Sequence, residues 1–257
     1  ESGVEPAVDL DDPDLTLFVE CRREEAFVFT EKREGPGGLP VGTQEPLVAL
    51  VSGGFDSPVA AWEAMRRGCP IYPLYVDLGE YGGPDHRARA ERAVGTLSRY
   101  APNLGLELTV APGGDAVDRL VEEMDTGRML GLRRFMYRVA ERVATDAGAA
   151  GIVSGEAIGQ KSSQTAGNLR VTGAVTDLPI HRPLLTVDKT NIVQRAREVG
   201  THEEATIPVG CNRIAPDNPA TQASLATVAD AEPDGIDRLA DDAAERASQV
   251  GLEALAD

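Results

Sequence analysis

The chain has 257 residues, 42% of them hydrophobic, with 25 Lys and Arg against 42 Asp and Glu for a formal net charge of −17. That length supports one α/β domain or two small ones with a core able to hold a ligand, and the composition excludes a disordered chain. The acidity excludes capture of nucleic acid or anionic membrane through bulk charge, leaving a local basic site open, and no apolar run is long enough to span a bilayer.

Residues 14–20 and 26–30 alternate with a period of two and read as a half-buried hairpin around a charged turn at 22–25. Gly35-Pro-Gly-Gly-Leu-Pro-Val-Gly42 is too rich in Gly and Pro for an element interior and reads as a linker. A lone hairpin is only marginally stable, so this start is either the end of a domain whose earlier part lies upstream or an appendage of the next one. From Leu47 the pattern becomes strand and helix in alternation. Strand 47–51 precedes helix 58–67, ended by Gly68. Strand 71–76, a polar helix around 85–100, strand 106–110 and a short helix over 116–124 follow. Helix 130–147 places Leu132, Phe135, Met136, Val139 and Val143 on one stripe, and strand 151–153 and helix 186–200 complete the series. This order predicts a doubly wound parallel sheet with right-handed crossovers and ligands at the carboxyl ends of its strands. Residues 217–257 hold ten acids against Arg238 and Arg246, a net of −8. Ile236, Leu239, Ala243, Ala247 and Val250 can share one apolar face there, so the stretch is either a capping helix or a disordered tail.

Cys21, Cys69 and Cys211 lie far apart without C-x-x-C spacing, which argues against a disulfide framework or thiolate zinc site and for a reducing cytoplasm. Cys21 falls on a strand and Cys69 leads into one, so both read as core fillers. Lys32, Lys161 and Lys189 are the only lysines, and an acid-rich, lysine-poor surface suits a cytoplasm with molar salt, where self-repulsion is screened. No signal-peptide pattern opens the chain, and its first residue is Glu1, so further sequence upstream is expected.

The sharpest feature is Ser52-Gly-Gly-Phe-Asp-Ser57, between a buried strand and a helix expected to open at Pro58. Gly53 and Gly54 let backbone N–H groups converge on an anion at the positive end of that helix, and Ser52 and Ser57 add hydroxyl donors. Together they make a pyrophosphate cradle; the alternative is a plain Gly-rich turn. The Walker A pattern is absent, because Gly155-Glu-Ala-Ile-Gly-Gln-Lys161-Ser162 has one residue too many before its Lys.

The hexapeptide resembles the signature of the PP-loop ATP pyrophosphatases, which split ATP between its α- and β-phosphates and transfer AMP to a substrate oxygen. Gly155-Glu-Ala-Ile-Gly-Gln-Lys-Ser-Ser-Gln-Thr-Ala-Gly-Asn-Leu169, with Gly37-Gly-Leu-Pro-Val-Gly42, resembles the tRNA 4-thiouridine synthetases, or tRNA sulfurtransferases, within that group; His181-Arg-Pro-Leu-Leu185 with Lys189 is shared more widely. The resemblance implies an adenine nucleotide alpha hydrolase-like fold with an N-terminal hairpin left from a THUMP-like domain. It divides the chain into that remnant and linker over 1–46, the ATP pyrophosphatase domain over 47–222, and an acidic extension over 223–257. It also implies a nucleotide site at Leu50, Val51, Ser52, Gly53, Gly54, Ser57, Tyr75, Val76, Arg133, Gly155, Gln164 and Lys189, with ATP and Mg²⁺ as the groups bound. Tyr75 stands where the family is expected to have His. Tyr75 and Val76 read equally well as plain strand residues, and Arg133 as an ordinary salt-bridge partner. Asp56 positions either Mg²⁺ or the loop backbone.

The chemistry so implied is adenylation of a tRNA uracil O4, release of pyrophosphate, then sulfur transfer with release of AMP; Asp56 and Cys211 carry it. Cys211 lies in Ile207-Pro-Val-Gly-Cys-Asn-Arg213, where Arg213 favours a thiolate; the alternative is a buried structural thiol. With neither a rhodanese segment nor a C-x-x-C pair in these residues, the expected sulfur donor is a persulfide carrier protein or free sulfide. The expected partners are thus tRNA and that donor, without a membrane, and a homodimer stays open. Arg87, Arg89 and Arg92, or Arg133, Arg134, Arg138 and Arg142, could form a basic stripe bordering the loop at Ser52, or merely solvated helix faces. The competing functions are an AMP-forming synthetase acting on a small molecule and a non-catalytic nucleotide-binding module.

Overall fold

In a computed structural model, which describes residues 7–82, 84–202 and 214–251, the alternating segments near the start pair as an antiparallel hairpin of β1 (Phe18–Cys21) and β2 (Ala26–Phe29). Phe18 and Phe29 stack across it at 5.6 Å and Lys32 lies over the Phe18 ring. Cys21 is exposed, not a core filler, because a two-stranded ribbon has no second apolar layer of its own to bury it. This unit ends at Gly37. The second half of the expected linker belongs to the second unit: Leu39 and Gly42 donate their N–H groups to the carbonyls of Arg66 and Gly68.

In the second unit, β3 (Leu47–Leu50) is followed by α1 (Asp56–Arg66), β4 (Ile71–Asp77), a 3₁₀ turn at Gly79–Tyr81, α2 (Pro84–Ser98), β5 (Leu108–Pro112), α3 (Gly114–Glu123) and α4 (Arg128–Ala147). Then come β6 (Ile152–Val153), α5 (Ala166–Gly173), β7 (Ile180–His181), α6 (Lys189–Val199), α7 (Leu225–Ala231), α8 (Ile236–Glu245) and β8 (Ser248–Val250). The strands form a six-stranded sheet in the order β7-β6-β3-β4-β5-β8, parallel except for β8, which runs against β5. Strand pleating sends alternate residues to opposite faces. Val48, Leu74, Val76 and Ile152 therefore pack against α3, α4, α7 and α8, while Leu47, Ala49, Tyr75 and Val153 pack against α1, α2 and α6. Helices on both faces of a mainly parallel sheet make the predicted doubly wound fold.

The predicted α4 stripe is in place: Leu132, Phe135 and Val139 are buried, with Met136 and Val143 packed at their margin. Gly148 ends that helix at φ +64°, a left-handed conformation cheap only for glycine. The first helix opens at Asp56, two residues before Pro58. Proline is tolerated there because first-turn N–H groups have no intrahelical acceptor.

The described part of the acidic stretch, up to residue 251, is built into the domain. Ile236, Ala240 and Ala243 bury one face of α8 on α4, and the chain then leaves the helix so that Val250 closes the sheet as part of β8. Three of its acids, Glu232, Asp237 and Asp241, meet the arginines of α4. Glu232 receives Arg134 Nε at 2.7 Å and NH2 at 3.1 Å, and Arg138 NH1 at 2.8 Å and NH2 at 2.7 Å. Asp237 takes Arg138 Nε, and Asp241 takes Arg142 Nε. The expected basic stripe on α4 is thus a docking face for the chain's own acids, not a free surface. Burial opposes ionisation of Glu232, but the hydrogen bonds from Arg138 and Arg134 outweigh it and hold the carboxyl below its ordinary value.

Candidate active site

Val51 extends the pairing of β3 by donating to Leu74 O, after which the chain turns through residues 52–55 into α1. The two serines close this turn. Ser52 N–H donates to Ser57 Oγ at 2.8 Å, the hydroxyls lie 2.9 Å apart, and Gly54 N–H reaches Ser52 Oγ at 3.4 Å. Two glycines permit contacts that side chains would block. A Cβ on Gly53 would sit 3.0 Å from Arg89 Cβ and 3.1 Å from His86 O, so the loop rests on α2. A Cβ on Gly155 would sit 2.6 Å from Ser57 N and 2.7 Å from Asp56 C. The carboxyl ends of β3 and β6 therefore meet, backbone on backbone, at the start of α1, where helix polarity and first-turn N–H groups favour an anion.

Asp56 and Lys189, distant in sequence, are brought together: Lys189 Nζ donates to Asp56 Oδ1 at 2.7 Å and to Gln160 Oε1 at 3.3 Å, over the ring of Phe55. Gln160 was not anticipated. Its Nε2 and the Oε1 of Gln164 are buried without a hydrogen-bond partner, an open donor and an open acceptor on the same loop. The loop itself is fixed by Gly159 N–H to Gln164 O and Gln164 N–H to Lys161 O. Among the described residues no group of three or more His, Cys, Asp or Glu could hold a metal, and Asp56 is the carboxylate that Lys189 meets at the loop.

Arg133 reaches this loop from α4. Its NH1 donates to Ser163 Oγ at 3.0 Å, and its Nε lies 3.3 Å from Glu156 Oε1. Glu156, buried directly after Gly155, also receives Tyr137 OH at 2.5 Å and Arg182 Nε at 2.9 Å on Oε2. Burial, then the charge of Glu156, pushes the Tyr137 hydroxyl far up, so it stays a donor. Sequence reasoning missed Glu156, Tyr137 and Arg182. The available signal was a carboxylate at the end of an apolar strand inside the 155–164 stretch. Asn168 braces the loop by donating to Ser163 O and Ala220 O and accepting from Ala223 N–H.

Leu50 packs towards the α4 face and Val51 towards the α1 face. The Tyr75 side chain is buried against α2 with its hydroxyl 2.9 Å from His86 Nδ1, and Val76 points to the opposite core, so both contribute only backbone at the strand end. Burial, then the charge of Arg89, holds His86 below its ordinary value. Around the loop, the expected α2 cluster contributes the buried Arg89, while Arg87 pairs with Glu91. Cys211 lies outside the described residues; His202, just before that segment, packs its ring 5.4 Å from Phe55. A cleft of about 380 Å³ lined by Glu45, Leu47, Cys69 and Ala150 lies at the amino ends of the strands, away from this junction. No described helix is long and apolar enough to cross a membrane.

A family model described as "Thiamine biosynthesis protein (ThiI)" matches residues 42–234. The chain is 63% identical over 236 residues to the "Probable tRNA sulfurtransferase" of Halobacterium salinarum, covering 92% of this chain and 60% of that protein. It is 36% identical over 253 residues to the "tRNA sulfurtransferase" of Klebsiella pneumoniae, covering 97% of this chain and 52% of that one. The crystal structure of a 4-thiouridine synthetase–RNA complex with bound ATP superimposes with a TM-score of 0.88 at 34% identity, over 96% of this chain and 65% of that chain. The chain thus spans between half and two thirds of the length of these relatives. By the model match across both site loops and these identities, the chain belongs to the ThiI family, that of the tRNA sulfurtransferases.

Proposed function

We propose that the chain performs the ATP-dependent thiolation of a tRNA uridine to 4-thiouridine. Uracil O4, as it loses the N3 proton, attacks the α-phosphate of ATP and releases pyrophosphate. A sulfur nucleophile then displaces AMP from C4. The observation that carries this reading is the backbone contact of Gly155 with Ser57, which joins the family's 155–164 loop to the phosphate loop in one site. The likeness to a 4-thiouridine synthetase in complex with RNA and ATP supports the same substrates.

In this reading the amides of Gly53 and Gly54 and the hydroxyls of Ser52 and Ser57 hold the phosphates, and the backbones of Leu50, Val51, Tyr75 and Val76 hold adenine and ribose. Arg133, Gly155 and Gln164 complete the pocket, where the open acceptor of Gln164 and open donor of Gln160 suit a base or sugar. One carboxylate suits Mg²⁺, which takes most of its ligands from phosphate and water; when bound it would neutralise charge on pyrophosphate, with Asp56 as its protein ligand. Lys189, held beside Asp56, adds a second positive charge there. Cys211 carries or receives the sulfur; His202, upstream of it in sequence, packs on Phe55 of the phosphate loop. The donor is a persulfide carrier or sulfide, the hairpin at 18–29 is the end of a THUMP-like RNA-holding domain, and the setting is the cytoplasm.

Pyrophosphate release with unmodified tRNA, and mass spectrometry of tRNA nucleosides from cells lacking the gene, test this. Asp56→Ala should abolish adenylation, whereas Cys211→Ser should abolish only sulfur insertion. Unchanged 4-thiouridine in the deletion strain refutes the substrate, and sulfur insertion by Cys211→Ser refutes the role of the thiol.

A further inference from the structure

Glu156 is a fully formed carboxylate seat with one side left over. Its side chain is 6% exposed, and Oε2 is saturated by Tyr137 OH and Arg182 Nε. Oε1 is buried and has no hydrogen bond, although Arg133 Nε is only 3.3 Å away. One carboxylate therefore sits among two guanidinium groups and a phenol that only donates, leaving about one positive charge at the end of β6. The anchoring is rigid on one side: Arg182 NH2 also reaches Leu169 O and the Tyr137 hydroxyl, and Tyr137 is fully buried. On the other side Arg133, as buried as Arg182, is held only by Ser163 Oγ and by attraction to Oε1. Arg133 is thus the guanidinium of the pair with fewer fixed partners, and it faces the 155–164 loop through Ser163.

We propose that Glu156 is a positioning residue for Arg133: its carboxylate, anchored by Tyr137 and Arg182, fixes where the Arg133 guanidinium presents its charge to the phosphate of a bound nucleotide. The inference rests on the nucleotide reading of the site and deepens it. Glu156 would touch no substrate. It acts by attracting the Nε edge of Arg133 while Ser163 Oγ holds NH1, so that the remaining NH2 edge of the planar guanidinium is turned to the phosphate of the ligand.

A double-mutant cycle on the full chain, read as the dissociation constant of ATP, tests this. Glu156→Gln keeps the shape but places an amide either against the donors on Oε2 or against Arg133 Nε, and should weaken ATP about tenfold, the scale of one charge-assisted hydrogen bond. In an Arg133→Met background the same substitution should change ATP affinity less than about twofold, because its target is gone. A merely structural role would carry the same loss into both backgrounds. Tyr137→Phe, which removes only the hydroxyl anchoring Oε2, should weaken ATP by a smaller factor with the same dependence on Arg133, and it serves if Glu156→Gln does not fold. Equal losses in both backgrounds, or no loss in a wild type that binds ATP, overturn the positioning role alone. A wild-type chain that binds no ATP overturns the nucleotide reading and this inference with it.

Discussion

Glu232 sits between two arginines whose side chains are 5% and 8% exposed, and its own is 5% exposed. Glu232→Gln keeps the volume but removes the charge and turns one of two acceptor oxygens into a donor facing donors. Arg134 then keeps Val171 O and Arg138 keeps Asp237, but neither keeps its buried counter-charge. Removing one partner of a buried pair costs about 3–5 kcal/mol, since it leaves uncompensated charge in the interior. At roughly 2–4 °C per kcal/mol in a domain of this size, the melting temperature should fall by about 6–20 °C, with a matching drop in the urea midpoint. Asp241→Asn removes a pair whose acid is 53% exposed and should cost under about 1 kcal/mol. The pH dependence follows from the depressed carboxyl. Its stabilisation is fully present above the unfolded value near 4.5 and is lost as pH falls through the folded value, so acid should erode the wild type more steeply than Glu232→Gln below about pH 4.5. Equal losses from Glu232→Gln and Asp241→Asn, or parallel acid limbs, would refute the buried clamp.

Gly155→Ala pushes a methyl against Ser57 N and Asp56 C, backbone that cannot swing aside, so it should cost about 1–3 kcal/mol and remove ATP binding by calorimetry. Intact ATP affinity would show that the two loops need not touch. Lys189→Gln breaks a pair whose lysine is 47% exposed, so unfolding should move by under about 1 kcal/mol while pyrophosphate release falls at least tenfold. His86, held below the ordinary 6.5 by burial and then by Arg89, binds a proton more readily once unfolded, so wild-type stability should decline as pH falls from about 6.5 towards its lower folded value, and His86→Gln should flatten that limb in urea titrations. With a formal charge of −17, the urea midpoint should rise as potassium chloride is raised from about 0.1 M to molar levels, where the screening length shortens from about 10 to 3 Å.

The elements that could be read in advance are those whose local chemistry matches their surroundings. Leu47-Val-Ala-Leu50 is apolar on both faces and lies mid-sheet, and the α4 stripe has a sheet to meet. The strand β8, Ser-Gln-Val, is polar and exists only because β5 offers an open edge, and β7 is two residues long. The stretch holding the acids of 232–241 left a capping helix and a disordered tail both open, because a single charge says nothing of its partner about a hundred residues away. In the candidate site, 52–57 was legible because glycine and hydroxyl residues at a strand-to-helix junction carry their own geometry. Glu156 was not, since its partners come from α4 and from the residue after β7. Tyr75 was assessed at its backbone, and its hydroxyl's partner, His86, is set by how α2 packs.

The span of the Glu232 clamp also bears on how the protein is made. Arg134 and Arg138 leave the ribosome 98 and 94 residues before the carboxylate that neutralises them, and β8 follows later still. At about 5–20 residues per second, α4 waits on the order of five to twenty seconds with buried-type arginines unpaired and the β5 edge open. Completion of the domain therefore lags well behind the synthesis of α4, and the interval between them is when a chaperone has its opening.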